Sequence, residues 1–162
     1  PLVLGTVGAL VIALAVVVWF VVASAARPTE GPASSTPRAD WHAGEVPFLY
    51  QTDQQWASHP YAGGTVEENG CGPTCLSMVV IGLTGNTSAT PARIADYAES
   101  AGHYVSGAGT AWSLFTQGAG DFGVKCETIS TDEETMRSRL ENGEIIIASM
   151  LPGDFTQSGH FS

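Results

Sequence analysis

Cys71 lies between two glycines in the sequence NGCGPT at residues 69–74, directly before an apolar stretch that is typical of a helix. The free N–H groups and the positive dipole at a helix start stabilise an anion, and the thiolate is the nucleophilic form of cysteine. The same N–H groups can hold the oxyanion of a tetrahedral intermediate, while glycine neighbours leave room for a substrate backbone. The pattern indicates a catalytic thiol, and an inert buried cysteine is the alternative.

The chain has two further cysteines, and we expect both in the core. Cys75 lies one turn further along the apolar helix, and Cys126 falls in a predicted strand. A disulfide between Cys75 and Cys126 is the alternative, which only geometry can decide. Three cysteines cannot all pair within one chain, so at least one thiol is free.

A thiol nucleophile needs a base within hydrogen-bond reach, so the four histidines are the candidates. His42 and His59 fall in polar segments, and His103 follows a predicted helix end. His160 enters a predicted final strand, where the backbone would hold its ring firmly. We therefore predict His160 as the base, with a structural histidine at a strand start as the alternative.

Residues 46–162 resemble the papain-like cysteine peptidases related to the bacteriocin-processing (double-glycine leader) peptidases. The resemblance rests on VP at residues 46–47, QxDxxW at 51–56, NGCGPT at 69–74 and GHF at 159–161. It implies Cys71 as nucleophile and His160 as general base and acid. It also implies a glutamine that completes the oxyanion hole, for which Gln51 is the best match.

The sequence departs from this family in two places. The family's glutamine lies only a few residues before the cysteine, where this chain has TVE at residues 65–67. Gln51 would therefore return across a loop, and Gln54 or Gln55 are alternatives. The family's third catalytic residue, an Asp or Asn that follows the histidine, is expected beyond residue 162. We therefore expect the chain to be a fragment that is weakly active or inactive.

The resulting hypothesis is hydrolysis of peptide bonds through a Cys-His pair and an acyl-enzyme, with no cofactor and no metal. The substrate would be a peptide or a protein. One alternative is a non-catalytic domain at the cell surface that binds peptides. Another is a papain-fold amidase or transferase that acts on cell-wall peptides.

The N-terminal segment predicts a membrane anchor. Residues 1–26 carry no charged side chain, and this length is enough to cross a hydrocarbon core of about 30 Å. A signal peptide is the alternative. Residues 27–44, rich in Pro, Ser, Thr, Ala and Gly, predict a flexible linker, and residues 45–162 the peptidase domain. We expect this domain outside the cytoplasm, either tethered to the cell membrane or secreted.

The charge of the domain argues against nucleic acid as a partner. The chain has a formal net charge of −10. Residues 1–44 sum to zero, because Arg27 and Arg38 balance Glu30 and Asp40. All of the excess negative charge therefore lies in residues 45–162, which would repel a phosphate backbone.

Hydrophobic periodicity predicts an α+β fold in which helices come first and strands dominate later. The resemblance to the papain-like peptidases implies a papain-like architecture, with a central cysteine helix and a C-terminal antiparallel sheet, and we expect one transmembrane helix to precede it. Predicted helices cover residues 72–83, a segment that starts at Thr90 and Pro91, residues 110–122, and a segment that starts with a capping box at residues 131–134. Predicted strands cover residues 46–50, 124–130, 144–150 and a final strand near His160.

Overall fold

Residues 34–150 are the part of the chain that the structure, a computed structural model, describes. They form five α-helices and two small antiparallel sheets. The helices are α1 (Val66–Asn69), α2 (Cys71–Thr84), α3 (Pro91–Ser100), α4 (Ser113–Thr116) and α5 (Glu133–Glu141). The strands are β1 (Pro60–Tyr61), β2 (Gly64–Thr65), β3 (Tyr104–Val105) and β4 (Gly109–Thr110), and short 3₁₀ turns cover Arg38–Asp40 and Gly118–Phe122.

Helix α2 forms the centre of the core and confirms the predicted cysteine helix. It is apolar on nearly every side, and Leu76, Val80 and Ile81 are fully buried. Such a helix needs cover all round, which α3 supplies on one side. The hydroxyl of Ser77 donates to the carbonyl of Ala89, which ties α2 to the loop that precedes α3. Gly85, at φ +71°, ends the helix in the left-handed conformation that glycine favours.

The start of α3 agrees with the prediction from its sequence. The Thr90 hydroxyl accepts a hydrogen bond of 3.2 Å from the N–H of Arg93, and Pro91 occupies the first turn. Proline costs nothing there, because its missing N–H would have had no partner within the helix. The cap therefore fixes where α3 begins and how it approaches α2.

Two hairpins lie beside the start of α2. Strands β1 and β2 pair with Pro60 opposite Thr65, and β3 and β4 pair with Tyr104 opposite Thr110. The N–H of Gly107 donates to the carbonyl of Ala62 at 2.8 Å, so the turn of the second hairpin is fixed to that of the first. Together the hairpins place Thr110 close to the first turn of α2.

Residues 34–44 pack against the rest of the described chain, although they fall within the predicted linker. Trp41 is buried in the core, and its indole nitrogen donates to the carbonyl of Thr36 at 2.9 Å. Arg38 reaches the carbonyl of Thr87 at 2.8 Å. The folded part therefore starts before the expected boundary at residue 45.

The QxDxxW motif at residues 51–56 has a structural role, because its Asp and Trp side chains are buried and hydrogen-bond to the backbone. Asp53 is only 6% exposed, and its carboxylate accepts bonds of 2.9 Å from the N–H of Ser35 and 3.0 Å from the N–H of Gln55. Trp56 is buried, and its indole nitrogen donates to the carbonyl of Tyr50 at 2.8 Å. Burial alone would raise the pKa of Asp53, but the bonds from Gln55 and Ser35 outweigh it and lower the pKa below 3.8.

Asp53→Asn should lower the free energy of unfolding by about 2 kcal/mol at pH 7, since two backbone N–H donors, one of them buried, lose a charged acceptor. A carboxyl group whose pKa is lower in the folded than in the unfolded state stabilises the fold. This contribution is complete above about pH 4, and it is lost as the pH falls through the folded-state pKa. The difference in the free energy of unfolding between wild type and variant, measured by urea unfolding, should be smaller at pH 3 than at pH 7. Asp40→Asn, at an exposed position, is the control. An equal difference in unfolding free energy at both pH values would contradict the stabilising role of the ionised Asp53 carboxylate.

The predicted papain-like architecture with a C-terminal sheet is wrong. Every strand in residues 34–150 lies between residues 60 and 110, and the predicted strands at 46–50, 124–130 and 144–150 are not formed. Ile145 and Ile147 pack against the core cluster, which explains why residues 144–150 are apolar. Burial alone does not make a strand, because a strand also needs a hydrogen-bonded neighbour.

Two helix starts also differ from the expectation. Thr110 lies in β4 instead of capping a helix, and the predicted helix at residues 110–122 divides into α4 and a 3₁₀ turn. Helix α5 is capped by Asp132, whose carboxylate accepts from the N–H of Thr135 at 2.8 Å. Leu140 of α5 is exposed, although its side chain is apolar.

The predicted transmembrane helix at residues 1–26 lies outside the described residues. Within residues 34–150, no helix combines the length and the apolar character that a membrane crossing requires. The final strand near His160 also lies outside the described residues.

Candidate active site around Cys71

Cys71 occupies the first position of α2, directly after a break between α1 and α2 at Gly70. The N–H of Gly70 donates to the carbonyl of Val66 at 2.8 Å. A Cβ atom at position 70 would lie 2.6 Å from that same carbonyl oxygen, so only glycine fits here. The half-buried thiol of Cys71 therefore sits at a helix start whose backbone is fixed by the end of the preceding helix.

The Gln51 side chain bonds to the backbone just before the start of α2. Its side-chain nitrogen donates to the carbonyl of Glu67 at 2.7 Å. That carbonyl is the acceptor that the Cys71 N–H would use if α1 continued into α2. Among residues 34–150, the Cys71 N–H has no backbone acceptor. The N–H of Gly72, also in the first turn, has no acceptor within the helix, whereas Pro73 has no N–H to offer.

The thiol of Cys71 opens into a pocket of about 330 Å³. Four parts of the fold line it: the start of α2, the second hairpin, the region of α4, and the stretch just after α5. The lining residues are Cys71, Gly72, Cys75, Ala108, Thr110, Trp112, Phe115, Ile147, Ala148 and Ser149. None of these described residues is charged. The volume is at the lower end of the range for small-molecule sites, about 300–1,000 Å³.

Two aromatic rings form one wall of this pocket. The ring centroids of Trp112 and Phe115 lie 5.7 Å apart, within the range of favourable aromatic pairs. Phe115 is buried, whereas Trp112 is 62% exposed. A large apolar side chain that borders a cavity and stays open to solvent is available to contact a ligand.

Thr110 packs directly onto Gly72. A Cβ atom at position 72 would overlap the side-chain atoms of Thr110, so glycine is needed for β4 to approach the start of α2. The Thr110 hydroxyl lies 2.9 Å from the hydroxyl of Tyr61, which is 1% exposed. Burial, with smaller contributions from Cys71 and Glu99, raises the pKa of Tyr61 despite the opposing effect of its contact with Thr110, so this phenol keeps its proton.

The three cysteines differ in their surroundings, and all carry free thiols in the structure. Cys75 lines the same pocket as Cys71 but lies one turn deeper. Burial, and next the nearby Cys71, raise the pKa of Cys75 to about 11. Burial and the charge of Glu127 also raise the pKa of Cys126. Cys71 differs from both in its position at the first residue of α2.

Iodoacetamide at pH 7 should label Cys71 well before the other two thiols. With a pKa of about 11, only about one Cys75 side chain in 10,000 is a thiolate at this pH, and the thiolate is the reactive form. Peptide mass spectrometry after short labelling times measures each site separately. Cys71→Ala should leave the protein almost unlabelled. Labelling of Cys75 as fast as Cys71 would contradict the assignment.

The structure separates Gln51 from the pocket lining, because its amide is held by Glu67. Gln54 is exposed, and the Gln55 side chain donates to Asp53 at 3.2 Å. None of these three glutamines lines the pocket. The predicted base, His160, lies outside the described residues.

The other three histidines have partners of their own. His42 lies 3.5 Å from Glu45, His59 lies 2.7 Å from Asp96, and the Nδ1 atom of His103 lies 2.9 Å from the Ser113 hydroxyl. None of them lines the pocket with Cys71. Among the described residues, the thiol therefore has no histidine in its pocket.

Sequence reasoning missed Thr110 and Ala108 as pocket residues and placed Trp112 inside a helix. The sequence GAGTAW at residues 107–112 does contain a turn signal in its glycines. That signal indicates a hairpin, but it does not show which other part of the chain the hairpin meets.

No protein-family model, curated protein or solved structure was found to match this chain.

Proposed function

We propose that this protein is a thiol-dependent hydrolase that cleaves peptide bonds through an acyl-enzyme on Cys71. The observation that carries the proposal is the position of this thiol. It is half-buried at the first residue of α2, it opens into a 330 Å³ pocket, and its own N–H has no backbone acceptor among the described residues. A nucleophile, a space for substrate and an oxyanion donor are therefore close together.

The proposed reaction is acyl transfer in two stages. His160 takes the proton of Cys71, and the sulfur attacks the carbonyl carbon while the C=O π electrons move to oxygen. The Cys71 N–H stabilises this oxyanion. The C–N bond then breaks as His160 protonates the leaving amine, and water hydrolyses the thioester by the same route.

The assignment of the base follows the family resemblance of the GHF sequence at residues 159–161. His160 lies outside the described residues, eleven positions after Ser149 in the sequence. Ser149 lines the pocket, so the chain passes the site shortly before it reaches this histidine. That proximity in sequence supports the proposal.

The pocket lining favours an uncharged, apolar side chain on the acyl side of the cleaved bond. Trp112, Phe115 and Ile147 offer apolar surface, and none of the described lining residues could neutralise a buried charge. Transfer of an unpaired charge into such a site is costly. The net charge of −10 acts further against acidic substrates.

Hydrolysis of matched peptide anilides by the full-length protein tests this proposal. Substrates with Phe or Leu before the cleaved bond should react faster than those with Asp. Trp112→Ala should raise KM for the Phe substrate about tenfold, whereas Trp112→Phe, which keeps an aromatic wall, should change it little. Mass spectrometry after rapid acid quenching should show the acyl group on Cys71.

Other outcomes would contradict the proposal in distinct ways. Tight binding of the peptides with no product and no acyl group on Cys71 would indicate a non-catalytic binding domain. Transfer of the acyl group to an added amine in preference to water would indicate a transferase.

A further inference from the structure

The hydroxyl of Thr110 lies at the pocket wall beside the nucleophile. Its side chain packs against Gly72, the residue after Cys71, and both Thr110 and Cys71 line the pocket. Its oxygen lies 2.9 Å from the hydroxyl of Tyr61. This pair is the one contact between side-chain hydroxyls at the pocket among the described residues.

The direction of this hydrogen bond follows from counting donors. Each hydroxyl can donate one proton and accept others. If Thr110 donated to Tyr61, the buried phenol proton would have no acceptor among residues 34–150, and an unsatisfied buried donor is costly. If Tyr61 donates, its proton is satisfied, and the proton of Thr110 is free to point into the open pocket. The second arrangement leaves neither group unsatisfied.

The position for a second oxyanion donor is open at this site. The resemblance assigns that role to a glutamine, but the amide nitrogen of Gln51 donates to the carbonyl of Glu67. Among the described residues that line the pocket, Trp112 and Ser149 also carry side-chain donors, but Thr110 is the one whose side-chain atoms pack onto Gly72, the residue after Cys71.

We propose that Thr110, oriented by Tyr61, donates a hydrogen bond to the substrate carbonyl oxygen during attack by Cys71. This inference rests on the proposed thiol hydrolase function. As the S–C bond forms, the π electrons of the carbonyl move to oxygen, where the Thr110 O–H and the Cys71 N–H both donate. As the C–N bond breaks, the electrons return and both hydrogen bonds weaken. Tyr61 is a positioning residue, because it acts through Thr110.

Threonine variants with matched shape test the hydroxyl itself. Thr110→Val keeps the methyl packing on Gly72 and removes the donor, whereas Thr110→Ser keeps the donor. Thr110→Val should lower kcat about 100-fold with little change in KM, as expected for one oxyanion donor. Thr110→Ser should retain most of the activity. The kcat of Tyr61→Phe should lie between those of Thr110→Val and Thr110→Ser.

A peptide aldehyde provides a measurement that needs no turnover. The Cys71 sulfur adds to the aldehyde carbon, the thiol proton moves to the oxygen, and a hemithioacetal forms reversibly. Its affinity, measured as protection of Cys71 from iodoacetamide, should fall about tenfold in Thr110→Val and little in Thr110→Ser. The iodoacetamide rate without aldehyde should be equal in all variants, because that displacement at a saturated carbon creates no oxyanion.

The results separate the two proposals. Equal kcat and equal aldehyde affinity in wild type, Thr110→Val and Thr110→Ser would overturn the role of Thr110 and leave the hydrolase proposal standing. A wild-type protein that neither hydrolyses peptides nor binds the aldehyde would overturn both. A slower iodoacetamide reaction in Thr110→Val would show a structural effect on Cys71 and would also overturn this inference.

Discussion

Replacing Cys71 by serine should lower kcat for peptide hydrolysis by the full-length protein at least about 1,000-fold. An alcohol oxygen at this position is a far weaker nucleophile than a thiolate. Initial rates with an apolar peptide substrate measure the loss. Labelling by iodoacetamide should disappear with the activity, since both depend on the same sulfur.

Cys75 provides a matched control for this experiment. It lines the same pocket one turn further along α2, so Cys75→Ala changes a thiol in nearly the same surroundings. Because burial and the nearby Cys71 raise the Cys75 pKa to about 11, this thiol is protonated at neutral pH. Activity should therefore stay within about tenfold of wild type. An equal loss in both variants would show that the nucleophile has been assigned wrongly.

Gly72→Ala should impair stability and catalysis together. The new methyl group would overlap Thr110, and overpacking of this kind typically costs about 1–3 kcal/mol of unfolding free energy. To relieve the overlap, β4 must move away from the start of α2, which changes the pocket beside Cys71. We expect a lower midpoint in urea unfolding and a fall in kcat of about tenfold or more.

Two further variants distinguish crowding from a general effect of alanine. At Gly120, an added Cβ meets no atom within 4 Å, so Gly120→Ala should change neither stability nor activity appreciably. Thr110→Ala removes two of the three Thr110 atoms that the new methyl would meet. Combined with Gly72→Ala, it should recover part of the lost stability, which a double-mutant cycle measures. Strictly additive effects would show that the two residues are not in contact.

Features set by neighbouring residues could be predicted from the sequence. Helix α2 and its start at the NGCGPT motif follow from an apolar run after a glycine. The Thr90 cap of α3 follows from a threonine before a proline. Each depends on a few consecutive side chains and their own backbone, so the fold of the remaining chain does not alter the outcome.

Features set by distant residues could not be predicted in this way. Residues 144–150 are apolar enough for a strand, but pairing depends on a partner that the pattern does not identify. The contact between Gly72 and Thr110 joins positions 38 residues apart. Thr110 has the sequence signature of a helix cap, yet its hydroxyl contacts Tyr61. At residues 144–150 and at Thr110, tertiary contacts therefore overrode the local preference of the sequence.

The bond from Gln51 to Glu67 connects the loop before β1 to α1, shortly before Cys71 in the sequence. In a continuous helix the carbonyl of Glu67 would accept from the Cys71 N–H; here the backbone breaks at Gly70, and this oxygen accepts from Gln51 instead. A residue inside a continuous helix has its own N–H bonded to the carbonyl four residues before it, whereas the Cys71 N–H has no backbone acceptor among residues 34–150. The break between α1 and α2 therefore leaves a backbone donor without a backbone partner on the same residue as the thiol, among the described residues.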